Sequence, residues 1–139
     1  MSAEQRQYER LVISYSASLR VVSDKLPDKK ATITNLSQGG LCFFSSLSLL
    51  QGERIEIGLP TGRSVMTLKA SVIWCRAQRD QFSSGAEFVE MSAVRRARLF
   101  EMHKAIKIFL EMKGPSGNAE QATAEWLALH AETFLANAP

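Results

Sequence analysis

Hydrophobic residues recur with a period of two between residues 11 and 90, and this pattern constrains the fold more than any other feature of the sequence. Over residues 11–21, apolar side chains occupy every second position: Leu11, Ile13, Tyr15, Ala17, Leu19 and Val21. Successive side chains of a strand point to opposite faces, so this segment is predicted to be a long strand with one buried side. Similar patterns predict five further strands, at residues 30–36, 41–44, 55–59, 65–76 and 85–90.

The connections between these strands are short and polar. Residues 24–28 (DKLPD) and 60–62 (PTG) have the composition of turns. Six strands joined in this way predict an antiparallel meander, and closure into a barrel removes the exposed edges of such a sheet. The predicted fold class is therefore mainly β, a six-stranded antiparallel β-barrel followed by one or two C-terminal α-helices.

The helices are predicted from a change of period after Ser92. Apolar residues recur at helical spacing within residues 93–113, and arginines and lysines occupy much of the remaining surface. Such a helix is expected to cover an end or a face of the barrel. Residues 114–117 (GPSG) break it, and a second helix is predicted at about 119–136. Its apolar residues Trp126, Leu129 and Phe134 are expected to be buried, against the first helix or a second copy of the chain.

Charge is distributed unevenly along the chain. Residues 1–113 carry all 17 basic side chains but only 11 of the 14 acidic ones, which leaves this part with a net charge of +6. The last 26 residues contain three glutamates and no lysine or arginine. A basic body indicates an anionic partner, but charge alone does not distinguish nucleic acid, lipid or a small phosphate ligand.

Two short motifs indicate what that anion is. Arg6 and Arg10 form an RxxxR spacing ahead of the first strand, and Asn35, Ser37 and the glycines of residues 39–40 fit [D/N]xSxxG between the second and third strands. A guanidinium is a planar fork that matches phosphate oxygens or the O6/N7 edge of guanine. The second motif offers amide and hydroxyl groups, and its glycines permit a tight turn with close approach of backbone N–H groups to an anion.

The order and separation of these motifs on a six-stranded barrel resemble the PilZ domain family, over roughly residues 4–113. The resemblance implies a bacterial second-messenger receptor for cyclic di-GMP (c-di-GMP), active in signal transduction and without enzymatic activity or cofactor. It implies that Arg6 and Arg10 grip guanine and phosphate, and that Asn35 and Ser37 contact guanine. Gly39 and Gly40 are implied to form the turn. Asn35 stands where Asp is commoner in the family, so the affinity is expected to fall modestly.

The resemblance also divides the chain into three parts. Residues 1–10 are expected to be a flexible segment that clamps the ligand, residues 11–113 the PilZ β-barrel with its helix, and residues 114–139 a linker with an additional acidic amphipathic helix. Because Arg6 lies five residues from the start, the signal is expected to pass through an oligomer or a separate protein partner. A homodimer through the C-terminal helices is one form of this hypothesis.

Other functions receive less support from the sequence. The histidines, His103 and His130, fall on different predicted helices, where each is expected to be a surface or interface residue, and no HExxH, CxxC, GxSxG or Walker motif occurs. Two alternatives stay open. One is a nucleic-acid-binding β-barrel that uses its aromatic residues, most of which nevertheless fall on predicted core faces. The other is a PilZ-like adaptor that contacts proteins and binds no dinucleotide.

The location of the protein is expected to be the cytoplasm. The charged first ten residues are followed by no apolar segment of the signal-peptide kind, and the longest apolar runs are far too short to span a membrane. Cys42 and Cys75 lie inside predicted strands and are expected to be small buried hydrophobic residues, which fits a reducing compartment.

Overall fold

A computed structural model describes residues 11–24, 26–60, 65–113 and 119–135 of the chain. Six strands and two helices follow one another along it: β1 (Leu11–Val21), β2 (Lys29–Leu36), β3 (Gly40–Ser45), β4 (Arg54–Pro60), β5 (Val65–Gln78), β6 (Gln81–Phe88), α1 (Ala93–Lys113) and α2 (Ala119–Leu135). The prediction of a six-stranded antiparallel barrel followed by helices is confirmed. No helix within the described ranges is long and apolar enough to cross a membrane.

The order of the strands differs from the predicted meander. The barrel closes in the order β1-β2-β3-β6-β5-β4, so β3 pairs with β6 and β4 pairs with β1. The connection between β3 and β4, residues 46–53, therefore joins two strands that are not neighbours in the barrel and does not form a hairpin. Two hydrogen bonds hold it against β5: Gly52 N–H donates to the Val72 carbonyl (2.8 Å) and Val72 N–H donates to the Glu53 carbonyl (2.9 Å).

Strand β6 begins four residues earlier than predicted and ends two residues earlier. It forms a hairpin with β5 in which Gln78 pairs with Gln81 across a two-residue turn. Arg79 makes this turn with a φ of 57°, in the left-handed region where glycine or asparagine is the usual residue. The sequence carries no such signal here, so the prediction missed the first half of the strand.

The core fills the barrel with side chains from all six strands. The largest fully buried side chains of the strands are Leu19, Ile33, Leu36, Phe43, Ile55, Ile57, Leu59 and Leu68. The alternation predicted for β1 holds at its C-terminal end, where Ala17 and Leu19 are buried and Ser18 and Arg20 are not. Nearer the start of β1, its register against β2 shifts between Val12 and Tyr15.

The two helices pack on each other and on the barrel. Ser92 caps α1, since its hydroxyl accepts a hydrogen bond from the N–H of Arg95 (3.1 Å). Helix α1 packs on β1, and α2 packs on α1, β1 and β4. Trp126 is buried within the chain, as expected, whereas Leu129 is 76% exposed. Leu129 lies on the opposite face of α2 from Leu127 and Ala131, so the prediction of its burial is wrong for the single chain. The Phe134 side chain lies outside the described part.

Candidate functional site

The turn between β2 and β3 is organised around the Ser37 side chain. Its hydroxyl oxygen accepts hydrogen bonds from the N–H groups of Gly39 (3.2 Å) and Gly40 (3.3 Å), and the Ser37 N–H donates to the Gly40 carbonyl (2.8 Å). A serine that binds its own backbone in this way fixes the shape of a short turn. Both glycine N–H groups, which the sequence assigned to an anion, therefore already have an acceptor in Ser37.

Gly40 is required at its position by a close approach of two strands. A Cβ atom there would lie 2.1 Å from the carbonyl oxygen of Ala86 and 2.9 Å from the Cα of Glu87, both in the backbone of β6. Among the described glycines only Gly52 has a positive φ. The predicted reason for glycine, conformational freedom in a tight turn, is therefore wrong for Gly40. The absence of a side chain lets β3 start directly against β6.

A β-bulge places Asn35 on the outer surface of the barrel. Ile33 pairs with Phe43 and Asn35 with Cys42, so Thr34 is an extra residue on β2. Ile33 and Leu36 are both fully buried, and the two residues between them are partly exposed. Without the extra residue, Asn35 would share the inward face of Ile33. The Thr34 hydroxyl donates a 3.3 Å hydrogen bond to the Cys42 carbonyl inside the bulge.

A second bulge brings Trp74 to the same outer surface. Val72 pairs with Ala86 and Trp74 with Gly85, so Ile73 is the extra residue on β5. Gly85 also pairs with Cys42, which pairs with Asn35. Because residues that pair across strands share a face, Asn35, Cys42, Gly85 and Trp74 form one continuous row. We call these four residues the outer row.

An aromatic surface and an arginine lie at the far end of the outer row. The Trp74 ring covers Gly85 so closely that a Cβ there would lie 2.3 Å from the indole Nε1. The guanidinium carbon of Arg76 lies 4.5 Å from the centre of the Trp74 ring, a cation–π contact. Neither Trp74 nor Arg76 was predicted from the sequence to belong to the site. The sequence signal that could have found them is their spacing, because residues two apart on a strand share a face.

The remaining sequence predictions for the site fall in two groups. The structure places Asn35, Ser37, Gly39 and Gly40 at one end of β2 and β3, whereas Arg6 and Arg10 lie outside the described residues. Of the aromatic residues expected in the core, Phe43 is fully buried, but Phe44, Trp74 and Phe82 are only half-buried. The bulge at Ile73 explains the partial exposure of Trp74, because it turns this side chain to the outer surface.

The other chemically reactive side chains do not assemble into a site. Within the described ranges, no three His, Cys, Asp or Glu residues cluster as metal ligands. Cys42 and Cys75 are half-buried and form no disulfide. His103 is completely buried instead of lying on the helix surface, and its Nδ1–H donates to the Leu99 carbonyl (2.9 Å). Burial lowers the pKa of His103 to about 4, and the Leu99 hydrogen bond opposes that shift only in part.

Comparisons with known proteins identify relatives of the sequence and of the fold. The family model of the PilZ domain matches residues 4–103. No curated protein sequence matches the chain. Among solved structures, Escherichia coli YcgR in complex with c-di-GMP is similar, with a TM-score of 0.60 and 18% identity over 78% of this chain and 49% of that one. The PilZ domain of Escherichia coli YcgR with c-di-GMP has a TM-score of 0.62 and 16% identity over 78% and 96%.

A third similar structure is the Bacillus subtilis inhibitor of motility, MotI/DgrA, with a TM-score of 0.55 and 18% identity over 76% of this chain and 52% of that one. The chain thus spans about half the length of the YcgR and MotI chains, and nearly all of the isolated YcgR domain. At these identities the likeness establishes a common fold.

Proposed function

This chain belongs to the PilZ domain family, because the family model matches residues 4–103, and we propose from this that it is a receptor for c-di-GMP. The observation that carries the proposal is the Ser37–Gly40 turn next to the outer row, on a fold that YcgR shares in its complex with c-di-GMP. The protein binds the dinucleotide, performs no chemistry on it, and transmits its presence to a protein partner. Two half-buried cysteines that form no disulfide fit the cytoplasm as its location.

The ligand lies across the end of β2 and β3 and is held from two sides. Asn35 is on the outer surface there and offers an amide oxygen to guanine N–H groups. Arg10 is joined directly to Leu11, and Leu11 pairs with Leu36, the residue before Ser37. This pairing at the end of β2 next to the turn supports a role for the two arginines of the RxxxR motif in binding ligand there. Their guanidinium groups bind the guanine edge and the phosphates.

Ser37 acts mainly by shaping the turn, which refines the role implied by the resemblance. Its hydroxyl oxygen already accepts hydrogen bonds from two N–H groups. Ser37 therefore contributes to affinity by holding Asn35, Gly39 and Gly40 in position, in addition to any direct contact with the ligand. Gly39 and Gly40 have no side chains, so a flat ligand can approach the backbone of the turn closely. Ser37→Ala is therefore expected to loosen the turn and weaken the binding of c-di-GMP.

Trp74 and Arg76 extend the site along the outer row. The indole face is held flat against Gly85, and an aromatic face of this kind stacks with purine bases. Arg76, over the same ring, adds a positive charge where a phosphate or guanine edge arrives. This surface also provides an intrinsic fluorescence signal for binding, since the second tryptophan, Trp126, is buried between α2 and its neighbours.

The alternatives are weaker on the same observations. A nucleic-acid-binding barrel needs several exposed aromatic side chains along one groove, but Phe43 is in the core and Phe44, Trp74 and Phe82 are each partly buried. An adaptor without ligand does not need a polar Asn35 held outward by a bulge beside an ordered serine turn. Protein contacts are nevertheless the expected output of the bound state.

Calorimetric titration with c-di-GMP, cyclic di-AMP and GTP tests the proposal. Only c-di-GMP is expected to bind tightly, since adenine presents an N6 donor where guanine presents the O6 acceptor that arginine needs. Arg6→Ala with Arg10→Ala is expected to abolish measurable binding, because each bidentate contact contributes about 1–3 kcal/mol.

The double variant Arg54→Ala with Arg98→Ala is the matched control, since it removes the same charge from two exposed residues away from the turn. It is expected to bind like the wild type. Wild-type protein that binds no c-di-GMP refutes the receptor function and favours the adaptor. Unchanged affinity in the Arg6, Arg10 variant refutes the assignment of the site.

A further inference from the structure

A continuous series of hydrogen bonds leads from the Ser37–Gly40 turn to helix α1. The carbonyl of Gly39 accepts from the N–H of Phe88 (2.9 Å), the last residue of β6. The carbonyl of Phe88 in turn accepts from Nη2 of Arg96 (3.0 Å), the fourth residue of α1. Two hydrogen bonds therefore join the turn to the helix, through the backbone N–H and the backbone carbonyl of Phe88.

Arg96 is fixed at more than one point. Its Nε donates to the carbonyl of Met91 (3.1 Å), so one guanidinium bridges the two backbone carbonyls on either side of residues 89–90. Its backbone N–H donates to the Ser92 carbonyl (3.0 Å) as part of the start of the helix. The segment from β6 to α1 is thus closed into a loop by a single planar, always-charged side chain, a geometry that the ammonium of lysine does not reproduce.

The close approach of the strands makes this connection stiff. Gly40 lies against the backbone of Ala86 and Glu87, two residues and one residue before Phe88, with no room for even a Cβ atom. Phe88 is 3% exposed, so its N–H and carbonyl have protein partners in place of bulk water. A displacement of the turn therefore moves the end of β6, and the end of β6 moves the guanidinium of Arg96.

We propose that Arg96 is a positioning residue that couples the Ser37–Gly40 turn to helix α1, so that ligand bound at the turn is sensed by α1 and by α2, which packs on it. This inference rests on the proposed function for the identity of the ligand. Arg96 touches no ligand in this role. It acts through Phe88 and Gly39, and its loss separates binding from transmission.

Hydrogen exchange of the full-length chain, followed residue by residue by NMR with and without c-di-GMP, measures the coupling. In the wild type, ligand is expected to slow the exchange of the Gly39, Gly40 and Phe88 amides and of amides in the first turns of α1. In Arg96→Gln the ligand still protects the turn, but the protection in α1 is lost. Arg98→Gln, which removes the same charge from an exposed position two residues along the helix, is expected to behave like the wild type.

The unliganded protein provides a measurement that does not depend on the ligand. Arg96→Gln is expected to speed exchange of the Phe88 amide about tenfold relative to Arg98→Gln, the effect of losing roughly one hydrogen bond to a charged group. Arg96→Lys retains the charge and reaches one carbonyl at a time, so an intermediate value is expected. If Arg96→Gln does not fold, Arg96→Lys takes its place in the exchange measurement. A merely structural role predicts uniform loss of protection over the barrel instead of loss centred on Phe88.

Each result decides the proposal. Equal ligand-induced protection of α1 in Arg96→Gln and wild type overturns the coupling, as does wild-type protein whose turn is protected by c-di-GMP while α1 is unaffected. If the wild type binds no c-di-GMP, the proposed function fails, and the unliganded comparison still decides the coupling. Equal Phe88 exchange in the Arg96→Gln and Arg98→Gln proteins then overturns it.

Discussion

Protonation of His103 is predicted to destabilise the packing of α1 at mildly acidic pH. The imidazole is completely buried in the helix, and its described polar contacts include the Leu99 carbonyl four residues earlier. Burial lowers its pKa from 6.5 to about 4 because a charged imidazolium in this position is separated from water. The folded protein therefore holds His103 neutral, whereas the unfolded chain binds the proton with the ordinary pKa.

The sign and size of the effect follow from linkage between protonation and folding. The unfolded state binds more protons than the folded state between about pH 6.5 and pH 4, so stability falls as the pH is lowered through this range. At pH 5 a shift from 6.5 to about 4 corresponds to a loss of about 2 kcal/mol relative to pH 8, and the full loss below pH 4 is about 3 kcal/mol. Above pH 7 the contribution no longer changes.

Urea unfolding at pH 8 and pH 5 measures this loss when the wild type is compared with His103→Gln. Glutamine can still donate to the Leu99 carbonyl but does not titrate, so the free energy of unfolding of the variant should change less between the two pH values by about 2 kcal/mol. His130→Gln, at an exposed position on α2, is the control and should keep the wild-type pH dependence. An identical pH dependence in wild type and His103→Gln would refute the reasoning.

Two further predictions test the packing described above. Gly40→Ala should lower the free energy of unfolding by at least about 2 kcal/mol, because its Cβ would meet the Ala86 carbonyl oxygen at 2.1 Å; urea unfolding checks this, and a stability within about 0.5 kcal/mol of wild type contradicts it. Leu129→Lys, on the exposed face of α2, should leave stability within about 0.5 kcal/mol. Light scattering on that variant then tests the homodimer hypothesis, which requires a dimeric wild type and a monomeric variant.

The sequence predicted the type of each element better than the connections among them. Alternation located all six strands and helical spacing located both helices, because these periods reflect which side of each element is buried. Hairpin order was the natural assumption for strands with short connections. The crossing of residues 46–53 between β3 and β4 depends on hydrogen bonds to Val72, distant in sequence, and no local pattern records such a contact.

The candidate site was predicted in part for a similar reason. The motif residues Asn35, Ser37, Gly39 and Gly40 were recognisable because they are contiguous in the sequence. Trp74 and Arg76 join them only through the pairing of β2 with β3, β3 with β6 and β6 with β5. That pairing order is the part of the topology that the meander hypothesis misplaced. The contact of Gly40 with β6 was also missed, because it is invisible before the strands are paired.

The two bulges show why a regular barrel could not carry this site. In an unbroken alternation, Asn35 would share the inward face of Ile33, and Trp74 that of Val72, so both would enter the core. Thr34 and Ile73 each add one residue and turn the next side chain outward, at positions that lie in the same row across β3 and β6. Ile73 follows the inward Val72 and is 46% exposed, and the bulge lets Trp74 face outward beside it. The features that break the alternation most clearly are therefore the ones that build the outer row, and strict periodicity is least informative where the proposed ligand binds.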